Sequence, residues 1–344
     1  GSYHGLYTAL QQLFAIREIG LKARRGLSDK IRYNIFKAND MYLSRIRQYQ
    51  KQAAPLLKQE RGVPVFQFEE VAFNSELHPT YIYQDLSASY VKYLSESDPE
   101  LFKRSGFAMN SPYAMRKRCR MQMEYYRSCS GIFTMGKWIR RDLIERCGID
   151  PEKVHHVGGI NLDPRLIHPA GRENNRILFV GRDFLRKGGY LVYEAFRLLK
   201  SEMPDLELYV AGPPADPIQQ PVEGYHYLGD CDHATLSGLF NRCDVFCMPS
   251  YFEAYGLVFI EALAYGLPCI GRNVCEMPYF IEPGETGLLL EEDRAEKLAS
   301  LLQELLHNER IKKNVIARRD DYLREYAWDT VAERIHYVGR NNTH

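Results

Sequence analysis

The chain has 344 residues, more than one hydrophobic core usually serves, so two domains are expected. With 45% hydrophobic and 26% charged residues, 25 Gly and 17 Pro, it reads as an ordinary globular protein. That excludes a disordered chain, a collagen-like or coiled-coil protein, and a small disulfide scaffold. The net charge of +1 conceals a split: residues 1–150 carry 24 Lys and Arg against 15 Asp and Glu, a net +9, and the remainder carries −8. Opposite signs on two halves suggest domains facing different partners.

In chain order, His4-Gly5 precedes a basic stretch, residues 6–60, whose periodicity is mostly helical. Strands are expected at Val65–Glu70, Thr80–Gln84, Gly131–Met135 and Val154–Gly158, with a helix over Tyr113–Cys129 between the middle pair. The segment from Ile160 to Asn175, with Pro164, Pro169 and Gly171, reads as a linker. Beyond it, short apolar runs alternate with amphipathic stretches. Strands are expected at Arg176–Val180, Leu206–Val210, Tyr225–Gly229, Asp244–Met248, Pro268–Gly271 and Gly287–Leu290. Helices are expected at Gly189–Leu199, Ala234–Asn241, Ala254–Ala264, Arg294–Leu306, Glu309–Arg324 and Trp328–Val338. Continuous apolar strands alternating with helices indicate a parallel, doubly wound sheet.

No apolar run approaches the roughly 18 residues of a membrane span, and no basic segment precedes an apolar run as in a secretory leader. Eight cysteines without a C-x-x-C pair fit a reducing cytoplasm better than a disulfide framework.

The most informative segment is residues 244–271. A strand ends at Pro249-Ser250, a loop delivers Glu253, and a helix is expected to begin near Ala254. The N–H groups of Tyr255, Gly256 and Leu257 would then lie in a first turn without intrahelical partners. Such a turn receives a phosphate oxyanion, and Gly256 permits close approach. Glu261 follows Glu253 by eight residues, roughly 12 Å if helical throughout. That spacing suits two carboxylates holding opposite ends of a sugar nucleotide, because each accepts two hydrogen bonds from a diol. Alone, such a pair is usually surface charge beside a helix start.

Taken with its surroundings, the segment resembles the retaining nucleotide-sugar glycosyltransferases of the GT-B fold, glycosyltransferase family 4. Their PS-x-x-E-x-x-G run stands here as Pro249-Ser250, Glu253 and Gly256, followed by Glu261-Ala262, Gly266 and Pro268. Upstream, the strand-loop-helix FVGRDFLRKGG supplies Gly181, Arg182, Lys187 and Gly188; Val210–Gly212 and the EPGETGLLL run add two further matches. The resemblance covers roughly residues 125–340. It implies an α/β GT-B protein: two Rossmann-like domains facing across a cleft, the first atypically helical. The expected domains are residues 1–165 for the acceptor, 166–326 for the nucleotide sugar, and a helix at 327–344 crossing back to the first.

The implied reaction is retaining, metal-independent transfer of a sugar from a nucleoside diphosphate sugar to a glycan, lipid-linked, protein or other hydroxyl acceptor. By resemblance, Glu261 holds the ribose and Glu253 the donor-sugar hydroxyls. Gly181, Gly212, Arg182, Lys187 and the amides of Tyr255, Gly256 and Leu257 surround the diphosphate. Fixed cations and amide donors stabilise the charge that develops on a leaving phosphate. Alternatives are a GT-B phosphorylase or epimerase, and a non-catalytic partner subunit.

Three departures matter. Where the family has G-G-x-P-E, this chain has Cys275-Glu276-Met277-Pro278-Tyr279, so sugar preference does not carry over. Where many members place a histidine at the end of a first-domain strand, Gln84-Asp85 stands instead. Asp85 is then the polar candidate at that edge, or a strand-end or helix-capping aspartate. The glycine-rich acceptor loop is also not evident.

Asp230-Cys231-Asp232 spells the D-x-D of metal-dependent glycosyltransferases, but Asp232 is placed to cap the following helix, and no metal is expected. His155-His156 and Cys243/Cys247 lack a third ligand at metal spacing. The basic run from Met115 to Arg127, with Lys137, Arg140 and Arg141, is either a solvated face or one drawn to an anionic membrane surface or a phosphorylated acceptor. No nucleic-acid recognition motif accompanies it.

Overall fold

The computed structural model describes residues 4–16, 41–58, 62–68, 78–107, 111–160, 162–168 and 175–341. The chain divides into two compact units, one formed by Gly1–Gly158 with Val331–His344 and the other by Gly159–Thr330. The linker segment from residue 160 therefore groups with the second unit, as do residues 327–330 of the terminal segment.

The first unit is built on four parallel strands, β1 Val65–Phe68, β2 Thr80–Gln84, β3 Gly131–Thr134 and β4 Val154–His156, which lie side by side in chain order. Helices Ala88–Ser97, Pro99–Arg104 and Pro112–Ser128 connect β2 to β3, and Lys137–Glu145 connects β3 to β4. Right-handed crossovers that always step in one direction place these connections on one face of the sheet. Residues aligned across that face include Gln67, whose amide donates to the Tyr125 hydroxyl of the longest connecting helix at 2.8 Å. Phe66, Tyr81 and Phe133 stack on the opposite face. Helices His4–Leu13 and Met41–Leu57 confirm part of the helical start; residues 17–40 of that expectation lie outside the described residues.

The second unit is a six-stranded parallel sheet: β5 Arg176–Val180, β6 Glu207–Ala211, β7 Tyr225–Gly229, β8 Val245–Cys247, β9 Cys269–Arg272 and β10 Gly287–Leu290. Its order is β10-β9-β8-β5-β6-β7. The chain winds outward from β5 to β7, then returns to the other side of β5 and winds outward again. This is the doubly wound order of a dinucleotide-type fold, and the reversal falls between β5 and β8. The central strands form because Ile177, Leu178, Phe179, Val245, Phe246 and Cys247 are all fully buried; a strand covered on both faces must be apolar at every position.

Helix Ala295–His307 packs on Gly189–Lys200. The helix expected over Glu309–Arg324 is two, Glu309–Ala317 and Arg319–Tyr326, separated at Arg318, and the last helix is Trp328–Asn341. Among the described residues no helix is long and apolar enough to cross a membrane.

Candidate active site

Ligands of open α/β sheets bind outside the carboxyl ends of the strands where the winding reverses. In the second unit that point lies between β5 and β8, and the loops leaving those strands are Gly181–Gly188 and Pro249–Gly256. Gly181 and Gly212 close neighbouring strands, their N–H groups bonded to Ala211 O at 2.9 Å and Gly229 O at 2.6 Å. The two loops are joined along their length. Tyr251 N–H donates to Arg186 O at 2.9 Å, Arg186 Nη1 donates to Phe252 O at 2.7 Å, and the buried Ser250 hydroxyl donates to Phe252 O at 3.0 Å.

Gly188 makes this junction possible. Its φ is +77°, and a Cβ there would lie 2.5 Å from Pro249 O. Any other residue would carry both left-handed strain and a backbone clash.

At the centre of the junction the Lys187 ammonium bonds directly to Glu253 Oε2. Both side chains are largely buried, 12% and 13% exposed, so neither charge would be tolerated alone. Arg186 Nη1 lies 3.7 Å from the same carboxylate oxygen. Two of the nominated residues, Lys187 and Glu253, thus meet each other. Arg182, nominated with them, points elsewhere: its partner among the described residues is Asp230, at 2.8 Å, with 78% and 67% of the two side chains exposed. An exposed pair of this kind is worth about 0–1 kcal/mol, which leaves Arg182 free to exchange Asp230 for a ligand. Arg186 was not singled out from the sequence. Its one signal there is that it is the second of three cations in the G-R-D-F-L-R-K-G run.

The helix after Glu253 begins at Leu257, three residues later than expected. Gly256 is its left-handed N-cap, φ +87°, where a Cβ would press to 2.8 Å on Glu253 Cγ. Tyr255 is held in the preceding loop by its buried side chain, whose hydroxyl donates to Gly159 O at 3.0 Å and whose ring meets Phe280 edge-on. Helical amides without i−4 partners therefore start at Leu257, while those of Tyr255 and Gly256 belong to the loop. The 12 Å helical spacing expected between Glu253 and Glu261 does not apply, because residues 253–256 are not helical.

Glu261 lies on the helix Leu257–Ala264. It is half-buried, and burial pushes its carboxyl up to about 7. Among the described residues it has no side-chain partner. A half-buried carboxylate of this kind is what a ligand diol would satisfy.

Asp85 belongs to the first unit, just after β2. It is not a helix cap: Ser87 caps Ala88–Ser97, accepting from Tyr90 N–H at 3.0 Å. Its negative charge adds to burial in raising the Tyr83 hydroxyl pKa. Gln84 beside it is a core residue, fully buried and accepting from the Tyr126 hydroxyl at 2.8 Å. Asp232 caps His233–Arg242, accepting from Thr235 N–H at 2.8 Å, and Asp230 pairs with Arg182. His155 and His156 sit on β4, where burial and the nearby Lys137 and Arg334 push the His156 imidazole down to about 4. Among the described residues no three His, Cys, Asp or Glu side chains are grouped to hold a metal.

Residues 165–322 match the family described as glycosyl transferases group 1. This stretch belongs to that family. The group 1 domain contains every nominated residue except Asp85. Relatives include the phosphatidyl-myo-inositol mannosyltransferase of Mycolicibacterium smegmatis, 26% identical over 222 residues that make up 61% of this chain and 57% of the relative. The D-inositol 3-phosphate glycosyltransferase of Jonesia denitrificans is 28% identical over 212 residues, 53% of this chain and 50% of the relative. The chain thus spans about half the length of the curated relatives it matches.

Among solved structures, sucrose-phosphate synthase from Thermosynechococcus elongatus superposes with a TM-score of 0.65 at 18% identity, covering 88% of this chain and 78% of that one. WaaG, a glycosyltransferase involved in lipopolysaccharide biosynthesis, gives 0.62 at 18% identity, covering 94% and 85%. The fold carrying the group 1 domain is GT-B.

Proposed function

We propose that the chain is a retaining, metal-independent glycosyltransferase that moves a sugar from a nucleoside diphosphate sugar to a hydroxyl acceptor. The observation that carries this reading is the junction at the β5/β8 reversal. There Lys187, Arg186 and the first-turn amides of Leu257 and Val258 belong to one junction, with the carboxylates of Glu253 and Glu261 on its loop and the helix it leads into.

In the proposed cycle the diphosphate draws Lys187 and Arg186 away from Glu253, and Arg182 leaves Asp230 to join them. Glu253 is then free to accept hydrogen bonds from the donor sugar, and Glu261 accepts them from the ribose. As the anomeric C–O bond breaks, the bonding pair passes to the phosphate oxygen. The cations and amides stabilise that charge, supplying electrostatically what a metal supplies elsewhere. The departing phosphate accepts the acceptor's proton on the face where the new bond forms, so configuration is retained. Asp85 is offered as a polar group on the acceptor side.

The acceptor is proposed to be anionic or to lie at an anionic surface, with the chain bound peripherally at the cytoplasmic face of a membrane. The exposed Arg116, Arg120 and Arg127 of helix Pro112–Ser128 support this, with Tyr113 61% exposed beside them. The M. smegmatis relative is named for a phosphatidyl-myo-inositol acceptor.

A thermal-shift screen against UDP-, GDP-, ADP- and dTDP-sugars tests the donor half. One donor is expected to raise the melting temperature, since a ligand at a hundred times its Kd stabilises by about 2.7 kcal/mol. Lys187→Ala and Glu261→Ala should abolish the shift. If no sugar nucleotide stabilises the protein, or if Glu261→Ala leaves binding intact, the reading fails.

A further inference from the structure

The loop that carries Glu253 is gripped by residues the family's motif does not specify. Arg272 is the last residue of β9 and is 9% exposed. Its guanidinium directs Nε and Nη2 at Pro249 O, at 3.4 and 3.3 Å, and Nη2 also reaches Asp293 Oδ1 at 3.0 Å. The same guanidinium lies over the Tyr251 ring, 4.3 Å from its centroid. Tyr251 in turn donates its hydroxyl to Asp293 Oδ2 at 2.9 Å. Arg272, Tyr251 and Asp293 therefore form a closed triangle, each touching the other two, and its apex holds the Pro249 carbonyl.

Both ends of the gripped segment are fixed. Pro249 O is bounded by Arg272 on one side and by the backbone of Gly188 on the other. Tyr251 is anchored by its ring to Arg272 and by its N–H to Arg186 O. Only Phe252 separates Tyr251 from Glu253, so Glu253 has little freedom once these contacts are made. A planar guanidinium suits the task because it presents several donors in a rigid fork and still offers a face to an aromatic ring; an ammonium cannot do both.

We propose that Arg272, with Tyr251 and Asp293, is a positioning device that sets Glu253 for the sugar end of the donor. This rests on the glycosyl-transfer reading above. It assigns to these residues a selective role: they govern how much the sugar adds to the binding of the nucleoside diphosphate. The device lies at the strand end that leads into Cys275-Glu276-Met277-Pro278-Tyr279, where the chain departs from the family pattern.

Arg272→Lys, Arg272→Met and Tyr251→Phe test it by two readouts. Amide hydrogen exchange on the ligand-free protein should quicken in residues 250–256 in all three variants while strands β6 and β7 keep their protection. Calorimetric titration with GDP-mannose and UDP-glucose, each beside GDP or UDP alone, should then show the selective loss. For the pair that binds, Tyr251→Phe should lose about fivefold and Arg272→Met about tenfold or more in sugar-nucleotide affinity, as expected for one and several hydrogen bonds. Arg272→Lys should recover part of it. Affinity for the nucleoside diphosphate alone should change less than about twofold.

An equal loss with and without the sugar, or unchanged exchange in the loop, overturns the proposal. A parent protein that binds none of the UDP-, GDP-, ADP- and dTDP-sugars defeats the donor reading itself, and the clamp then stands or falls on loop exchange alone.

Discussion

Glu261 carries the clearest departure from ordinary side-chain chemistry in the second unit. Burial pushes its carboxyl from the ordinary glutamate value of about 4.5 up to about 7, so between those values the folded chain holds a proton there that the unfolded chain releases. Stability falls wherever the folded state binds more protons as pH rises. The cost of Glu261 therefore grows between about pH 4.5 and 7 and is complete above that, at roughly 3 kcal/mol as an upper limit. Glu261→Gln should melt higher than the parent at pH 8 and alike at pH 4, by calorimetry in matched buffers. An equal shift at both pH values would show that the carboxyl is not the source. A site that keeps such a cost for a ligand is consistent with the donor reading. Arg186 shows where residue-scale legibility ends: the sequence displays three cations in one run, but which one faces Glu253 depends on the loop's path.

At the scale of elements, the six strands of the second sheet were legible to within about one residue at each end, because buried parallel strands are uninterrupted apolar runs. The entry to helix Leu257–Ala264 was not, since Ala254 and Tyr255 are acceptable in a helix and only the backbone reveals Gly256 in the left-handed region. Helices Ala88–Ser97, Pro99–Arg104 and Lys137–Glu145 were also missed; they are short, although Ser87 and Asp98 cap the first two and the third buries Trp138, Ile139 and Leu143 on one face. The Arg272 triangle joins residues 251, 272 and 293 from three strand ends and has no local signature at all. Gly188→Ala tests the loop junction. A Cβ at 2.5 Å from Pro249 O should cost about 2–4 kcal/mol and abolish nucleotide binding, measured by denaturant unfolding and titration. Gly148→Ala is the control: φ is +65° but nothing lies within 4 Å, so it should cost about 1 kcal/mol and leave binding unchanged.

For the whole molecule, the near-neutral total hides two units of different electrostatic character. The second is acidic overall, yet its loops bring Arg182, Arg186 and Lys187 together, each facing a carboxylate, so net charge does not describe the site. The first is basic, and its exposed Arg116, Arg120 and Arg127 should draw it to anionic vesicles by about 1 kcal/mol each at low salt. Co-sedimentation with phosphatidylglycerol vesicles should fall on replacing all three by Gln and on raising salt. Equal binding to phosphatidylcholine vesicles would remove the surface from consideration. The division of the chain has a separate consequence for synthesis. Residues 159–330 are continuous, whereas the first unit is completed only by residues from Val331 onward. In synthesis, therefore, all parts of the second unit precede the segment from Val331 onward that belongs to the first.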